Sequence, residues 1–167
     1  YANGVKKRPS ALGTVWFVDE VIQVASANEA ILKLNKINPK MQALSQTIRP
    51  VVYTPMETDT IALVEKRNNL LRYTVSTTHE RLAVFSEMYY PKGWSVTIDN
   101  QKASLFPGNY ILRGLKVPSG KHSIVFRFDP PVIQTGTNIR LISLLIFVSI
   151  ISFFAYQKLK IKPIPKR

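Results

Sequence analysis

The sequence predicts a mainly β fold: an antiparallel β-sandwich of jelly-roll or immunoglobulin-like type with one short helix, followed by a C-terminal transmembrane helix. Three observations carry this. Short runs that alternate apolar and polar residues recur between Thr60 and Phe128, separated by turn residues. Ahead of them, Ser26 followed three residues later by Glu29 forms a helix-start signature. The run from Leu141 to Tyr156, LISLLIFVSIISFFAY, carries no charged residue.

Val15 to Ala25, VWFVDEVIQVA, is rich in β-branched and aromatic residues and reads as one strand. In the helix that follows, the Ser26 oxygen can accept from the Glu29 amide while the Glu29 carboxylate reaches back to the Ser26 amide. Ala30, Ile31 and Leu34 form its buried stripe, and Asn38-Pro39 ends it. Residues 40 to 59, with Pro50 and Pro55, read as irregular around a short strand near Ile48 to Tyr53. Thr60 to Val64 and Leu70 to Ser76 flank the polar turn Glu65 to Asn69 as a hairpin with one wet face, since Leu71, Tyr73 and Val75 alternate with Arg72, Thr74 and Ser76. Leu82 to Ser86 is apolar on both faces, which predicts a central strand. From Trp94 to Ile98, Trp94, Val96 and Ile98 point one way, and Asp99-Asn100 then turns the chain because both residues tolerate left-handed geometry. Tyr110 to Val117 and His122 to Phe128 flank the turn signal Pro118-Ser119-Gly120-Lys121.

At about 1.5 Å per residue, the uncharged run spans roughly 24 Å against an apolar thickness of about 30 Å, so Arg140 and Lys158 must snorkel or the bilayer must thin. Gly136, Thr137 and Asn138 mark its start, and Tyr156 stands where an interfacial aromatic belongs. Lys158, Lys160, Lys162, Lys166 and Arg167 follow it with no acid among them, which by the positive-inside rule places the C-terminus in the cytoplasm. The expected organisation is an extracytoplasmic β-sandwich domain over 1–135, a transmembrane helix over 136–158 and a basic cytoplasmic tail over 159–167. No hydrophobic leader stands near Tyr1, which predicts a cleaved signal or earlier transmembrane segments ahead of this sequence.

The 167 residues carry a net charge of +13, and all acids precede residue 130. The remaining basicity is spread out, with one small cluster at Lys6, Lys7 and Arg8. No RNP-like or helix-turn-helix signature accompanies it, so nucleic acid is not an expected partner, whereas the anionic headgroups of a lipid bilayer or a wall polymer fit a basic domain held at a membrane. The absence of cysteine rules out disulfides and thiolate metal sites.

Catalytic constellations are scarce. His79 and His122 have no ligand-spaced partner. Asp19-Glu20 would point to opposite faces of a strand and read as edge-strand solvation. Gly108 and Gly114 are isolated and read as turns or a bulge. No nucleophile elbow or phosphate-cradling loop is present, so no catalytic, cofactor-binding or metal residue is expected in this chain. The dense aromatic cluster Met88-Tyr89-Tyr90-Pro91-Lys92-Gly93-Trp94 is the one binding signal, because exposed ring faces stack on sugars. Tyr89, Tyr90 and Trp94, with Asp99, Asn109 and Arg113, are the candidate glycan contacts. The competing reading is that Trp94 and one tyrosine plug the sandwich core.

At this cluster the chain resembles the C-terminal part of the YfhO family, polytopic bacterial membrane proteins of glycosyltransferase C type. The matching segments are PSALGTVWFVDEV at 9 to 21, NEAILKL at 28 to 34, FSEMYYPKGWSVTIDNQ at 85 to 101 and NYILRGLKVPSGKHSIVFRFDPP at 109 to 131, then the terminal helix. Asp99-Asn100 stands where the family usually has Asp-Gly, and Lys92 is an extra residue between Pro91 and Gly93. The resemblance implies an enzyme of the bacterial plasma (inner) membrane that moves a sugar from a polyprenyl-phosphate donor to a cell-surface or wall polymer. It also implies a catalytic carboxylate in an earlier extracytoplasmic loop, upstream of this sequence, so no catalytic residue is carried over. Two readings follow: an accessory domain that works with the upstream transmembrane part of the same protein, or a membrane-tethered, non-catalytic carbohydrate-binding or structural module.

Overall fold

The computed structural model describes residues 10–160. The basic cluster Lys6, Lys7 and Arg8 and the tail cations Lys162, Lys166 and Arg167 lie outside the described residues. The chain divides into two units, the first ending at Phe128 and the second beginning at Asp129.

The first unit runs β1 (Val15–Val18), β2 (Glu20–Gln23), α1 (Ala27–Leu34), β3 (Gln42–Ser45), β4 (Val51–Val52), β5 (Thr60–Arg67), β6 (Leu70–Thr77), β7 (Arg81–Met88), β8 (Trp94–Ile98), β9 (Gln101–Ala103), β10 (Leu105–Gly108), β11 (Leu112–Val117) and β12 (Gly120–Phe128). These form a seven-stranded sheet, in the order β1-β7-β11-β10-β3-β2-β4, and a five-stranded sheet, in the order β5-β6-β12-β8-β9. Every pairing is antiparallel except β2 with β3, which are parallel and joined through α1 as that geometry requires.

The two sheets face each other across one core, where Tyr73, Phe85 and Phe126 meet edge to face with ring centroids 4.8 to 5.8 Å apart. β7 explains why Leu82 to Phe85 does not alternate. Ala83 and Phe85 enter this core, while Leu82 and Val84 enter a second one on the other face with Val18, Val21, Ala43 and Phe106. A third cluster of Val24, Ala30 and Leu44 seats α1.

The predicted fold class is therefore the observed one, and its local expectations are corrected in several places. The strand expected over Val15 to Ala25 breaks at Asp19, because the Asp19 and Glu20 amides both donate to the Met41 carbonyl at 2.7 and 3.0 Å. β1 consequently stays with β7 while β2 leaves to pair with β3 and β4. Residues 42–45, expected to be irregular, form β3. α1 ends at Leu34 with Asn35 as its cap, short of Asn38-Pro39. Its N-terminus is capped by Ser26, but the Glu29 carboxylate reaches the Ala25 amide at 2.7 Å, one residue earlier than expected. Ile31 is exposed rather than buried. The β5–β6 hairpin closes at Asn68 and Asn69 alone, since both strands continue past a bulge at Val64 and Glu65 lies opposite Arg72.

The second unit is α2 (Pro131–Lys160), which is long and apolar enough to cross a membrane. It begins ahead of the expected Gly136, and Pro131 suits a first helical position because its missing N–H would have no partner there. Its apolar residues show no preferred face, and Arg140 is the sole charge between Asp129 and Lys158. The hydroxyls of Ser143 and Ser149 donate to the carbonyls of Ile139 and Leu145 at 2.9 and 2.8 Å. Each such bond satisfies a polar group within the helix, as a lipid environment demands.

Candidate functional site

A groove opens where the chain crosses between the sheets. β8 and β9 form a hairpin through Asp99 and Asn100, whose φ angles of 48° and 68° fit the two-residue turn that matches strand twist. β9 is an edge strand of its sheet, and after one residue, Ser104, the chain enters β10 in the other sheet. Two adjoining hollows of about 420 and 400 Å³ lie along this crossing and share Tyr89, Ala103, Ser104 and Leu105. Trp94, Pro91 and Lys102 line the first, and Ile48, Pro107 and Lys116 the second.

The groove wall rests on buried side chains. Trp94 is half-buried, its ring 5.3 Å from that of Phe128. Beneath it, the Arg113 guanidinium lies 4.3 Å from the Trp94 centroid and 5.5 Å from that of Phe126, in cation–π contact. Arg113 Nε donates to the Met88 carbonyl at 2.7 Å, and its buried Nη1 has no hydrogen-bond partner among the described residues. Burial holds the Arg113 pKa below the usual arginine range, opposed by the nearby Glu87. The Tyr73 hydroxyl is pushed up to about 12, chiefly by burial and then by Glu87. Gly93 has no room for a side chain: a Cβ there would strike Phe128 Cε2 and come within 2.9 Å of Tyr90 Cε1.

The six sequence-predicted contacts do not form one site. Tyr89 and Trp94 line the groove. Tyr90 packs over Gly93 and is otherwise exposed. Arg113 supports Trp94 from within the core. Asn109 is buried, its side-chain oxygen accepting from the Leu44 amide at 2.8 Å and its own amide donating to the Leu44 carbonyl at 2.9 Å, so it ties β10 to β3. Asp99 sits at the far end of β8.

Asp99 instead pairs with His122, its Oδ2 2.6 Å from Nδ1, while its Oδ1 accepts from the Ser123 amide at 2.8 Å. His122 Nε2 lies 3.0 Å from the Ser119 carbonyl, which can only accept. Both ring nitrogens thus face acceptors, an arrangement that favours imidazolium. The Asp99 bond and then the Ser119 carbonyl raise the His122 pKa, and the Ser123 amide and then His122 lower that of Asp99. An imidazole held as a double donor has no lone pair for general-base work. Sequence reasoning missed this pair and a second cluster around Arg81. Arg81 is buried and donates to Asp19 Oδ1 and the Thr54 carbonyl, each at 2.7 Å, with Asp59 Oδ2 3.6 Å from its Nε. Asp19 is therefore a partner of Arg81, not a solvated edge residue. Among the described residues, no group of three His, Cys, Asp or Glu gathers as a metal site.

A β-sandwich whose chain runs on into an apolar helix long enough to cross a bilayer defines the class: a membrane protein with a folded domain outside the lipid. Residues 21–140 match the family model described as bacterial membrane protein YfhO, and the chain belongs to that family. No curated protein and no solved structure matches the chain.

Proposed function

We propose that the β unit is the accessory extracytoplasmic domain of a polytopic membrane glycosyltransferase, which moves a sugar from a polyprenyl-phosphate donor to a cell-surface or wall polymer. The observation that supports this best is the chemistry of the groove. Its lining offers ring faces at Tyr89 and Trp94, hydroxyls at Ser95, Thr97 and Ser104, and cations at Lys102 and Lys116, with no carboxylate and no imidazole. Such a surface can hold a sugar chain by stacking and hydrogen bonding, but it has no group to move a proton or attack a glycosidic carbon. The reaction then belongs to the upstream transmembrane part of the protein, and the groove positions the acceptor. In this reading the protein sits in the bacterial plasma membrane, with the β unit outside and the C-terminus in the cytoplasm.

Membranes holding the intact protein should transfer labelled sugar from polyprenyl phosphate to the polymer. Paired Tyr89→Ala and Lys102→Ala substitutions should raise the acceptor KM more than they lower kcat, the mark of lost binding away from the reacting atoms. Binding of polymer without any transfer by the intact protein would favour the tethered, non-catalytic module instead. Transfer by residues 1–135 alone would refute the assignment of chemistry to another part of the protein.

A further inference from the structure

We infer that the end of the β unit built from the Tyr89–Gly93 loop and the Asn109–Ile111 turn rests on anionic lipid headgroups. Tyr89 and Pro91 of this loop also line the groove, whereas the residues that would touch lipid, Met88, Tyr90, Tyr110 and Ile111, lie outside its lining. Three observations carry it. The first is connectivity. At this end the Ser86 amide and hydroxyl bond Thr14 and Gly13, the residues leading into β1, at 3.0 and 2.9 Å. At the same end β12 finishes at Phe128, whose amide donates to the Asn69 carbonyl at 2.9 Å. Only Asp129 and Pro130 separate Phe128 from the apolar helix, a link of at most about 11 Å whichever way the helix is directed. The unit is tethered to the membrane segment by this end.

The second is what the end displays. Met88, Tyr90, Tyr110 and Ile111 are 63, 47, 42 and 47% exposed. They are neighbours in the backbone, since Met88 lies opposite Leu112 and the Tyr89 amide donates to the Ile111 carbonyl at 2.7 Å. Asn109 and Tyr110 have φ angles of 46° and 74°, and a tyrosine in the left-handed region is strained. Two hydrogen bonds between Asn109 and Leu44 hold this turn against the strain and keep the Tyr110 ring 42% exposed. The third is charge. Lys66 and Arg67 at the end of β5, which also meet Glu87 and Glu65 at 3.5 and 2.7 Å, and Lys92 in the loop are exposed around this patch. With the exposed Arg72 and Arg127 they outnumber the acids Glu65, Glu87 and Asp129. Tyrosine rings settle at the level of headgroups, and lysine and arginine beside them attract an anionic surface.

These 167 residues contain no cysteine, so a single label can be placed in this chain without background from it. Tyr110→Cys, or Ile111→Cys should the first disturb the turn, carries an environment-sensitive fluorophore. Ser119→Cys at the opposite end is the control. The labelled chain is reconstituted into vesicles of phosphatidylcholine with phosphatidylglycerol, doped with lipid bearing a nitroxide just below the headgroup. Emission at residue 110 or 111 should shift to the blue and be quenched by the nitroxide, and that at 119 should do neither. Replacing Lys66, Arg67 and Lys92 by Glu should reduce the quenching, as should omitting phosphatidylglycerol. Equal response at both ends, or quenching unchanged in phosphatidylcholine alone, overturns the inference. A blue shift without quenching also overturns it, because the patch would then be covered by protein.

Discussion

Gly114→Ala is the sharpest probe of how the wall beside the groove is built. Gly114 on β11 lies opposite Phe106 on β10, and the Phe106 ring lies across the glycine backbone. A Cβ at 114 would strike ring atoms Cε2 and Cζ, with Cδ2 at 2.8 Å, against about 3.5 to 4.0 Å for ordinary carbon contact. Phe106 is 6% exposed and packed among Val18, Leu82 and Val84, and it also lines the second hollow, so a displaced ring has to leave this cluster toward the groove. Overpacking costs about 1–3 kcal/mol where side chains can shift, and losing a buried phenylalanine outright costs about 3–5 kcal/mol. The expected cost is therefore about 3 kcal/mol, set by partial expulsion of the ring. The control is a double-mutant cycle. In a Phe106→Ala background the methyl enters vacated space, so Gly114→Ala should cost nothing, leaving a coupling of about 3 kcal/mol. Both tryptophans, Trp16 and Trp94, lie in the β unit, so denaturant melts followed by their fluorescence in the detergent-solubilised chain report on that unit alone. An unchanged midpoint for Gly114→Ala, or additivity of the two substitutions, would refute the account.

The His122–Asp99 pair should make stability depend on pH in a defined sense. The folded His122 pKa is raised above 6.5, so its contribution is complete below about pH 6.5 and lost as pH rises through the folded value; that of Asp99, lowered from 3.8, is lost as pH falls through its folded value. Between pH 6.5 and 8.5 the wild-type midpoint should fall further than that of His122→Gln, and parallel curves would show the pair is inert. Trp94→Ala should cost about 3 kcal/mol, because it strips Phe128 and Arg113 of their ring contact. A fully stable Trp94→Ala that loses polymer binding would make the indole a binding platform only. For orientation, Ser119→Cys should react with an impermeant thiol reagent in intact cells and Lys166→Cys should react only after lysis, and the opposite pattern would invert the topology.

Legibility in the sequence followed the strength of local signals. The β6 strand was readable because Leu71, Tyr73 and Val75 alternate with polar residues over a single wet face. β9 was not, because Gln101 and Lys102 on an edge strand are both exposed and leave no alternation to detect. The clue was nevertheless present, since the Asp99-Asn100 turn demands a returning strand. The split at Asp19 was hidden because its cause, the Met41 carbonyl, lies 22 residues on and in a segment without periodicity. Among the candidate contacts, Tyr89 and Trp94 were chosen for their ring chemistry in one short stretch, and both line the groove. Asn109 looked the same in sequence, and only the strand beside it shows that its amide is consumed by Leu44.

The two buried arginines are held differently: carboxylates face Arg81 and aromatic rings face Arg113, and each keeps one buried nitrogen without a hydrogen-bond partner among the described residues. At one end Arg81 meets two aspartates and a carbonyl, and removing both carboxylates would leave a buried charge uncompensated, at a cost of about 3–5 kcal/mol. At the other end Arg113 has one carbonyl and two aromatic faces and, among the described residues, no ion pair and no acceptor for Nη1. Burying a guanidinium so incompletely paired is unfavourable, and a methionine of similar length would fill the space at less cost. What the guanidinium supplies that methionine cannot is a positive charge against one face of the Trp94 indole. That charge holds the ring through its quadrupole, and the same ring lines the groove. Arg113→Met should then raise stability slightly while loosening Trp94. The signature would be a higher unfolding midpoint with lower steady-state anisotropy of indole emission in a Trp16→Phe background. A destabilised variant with unchanged anisotropy would show that Arg113 serves the core and not the groove.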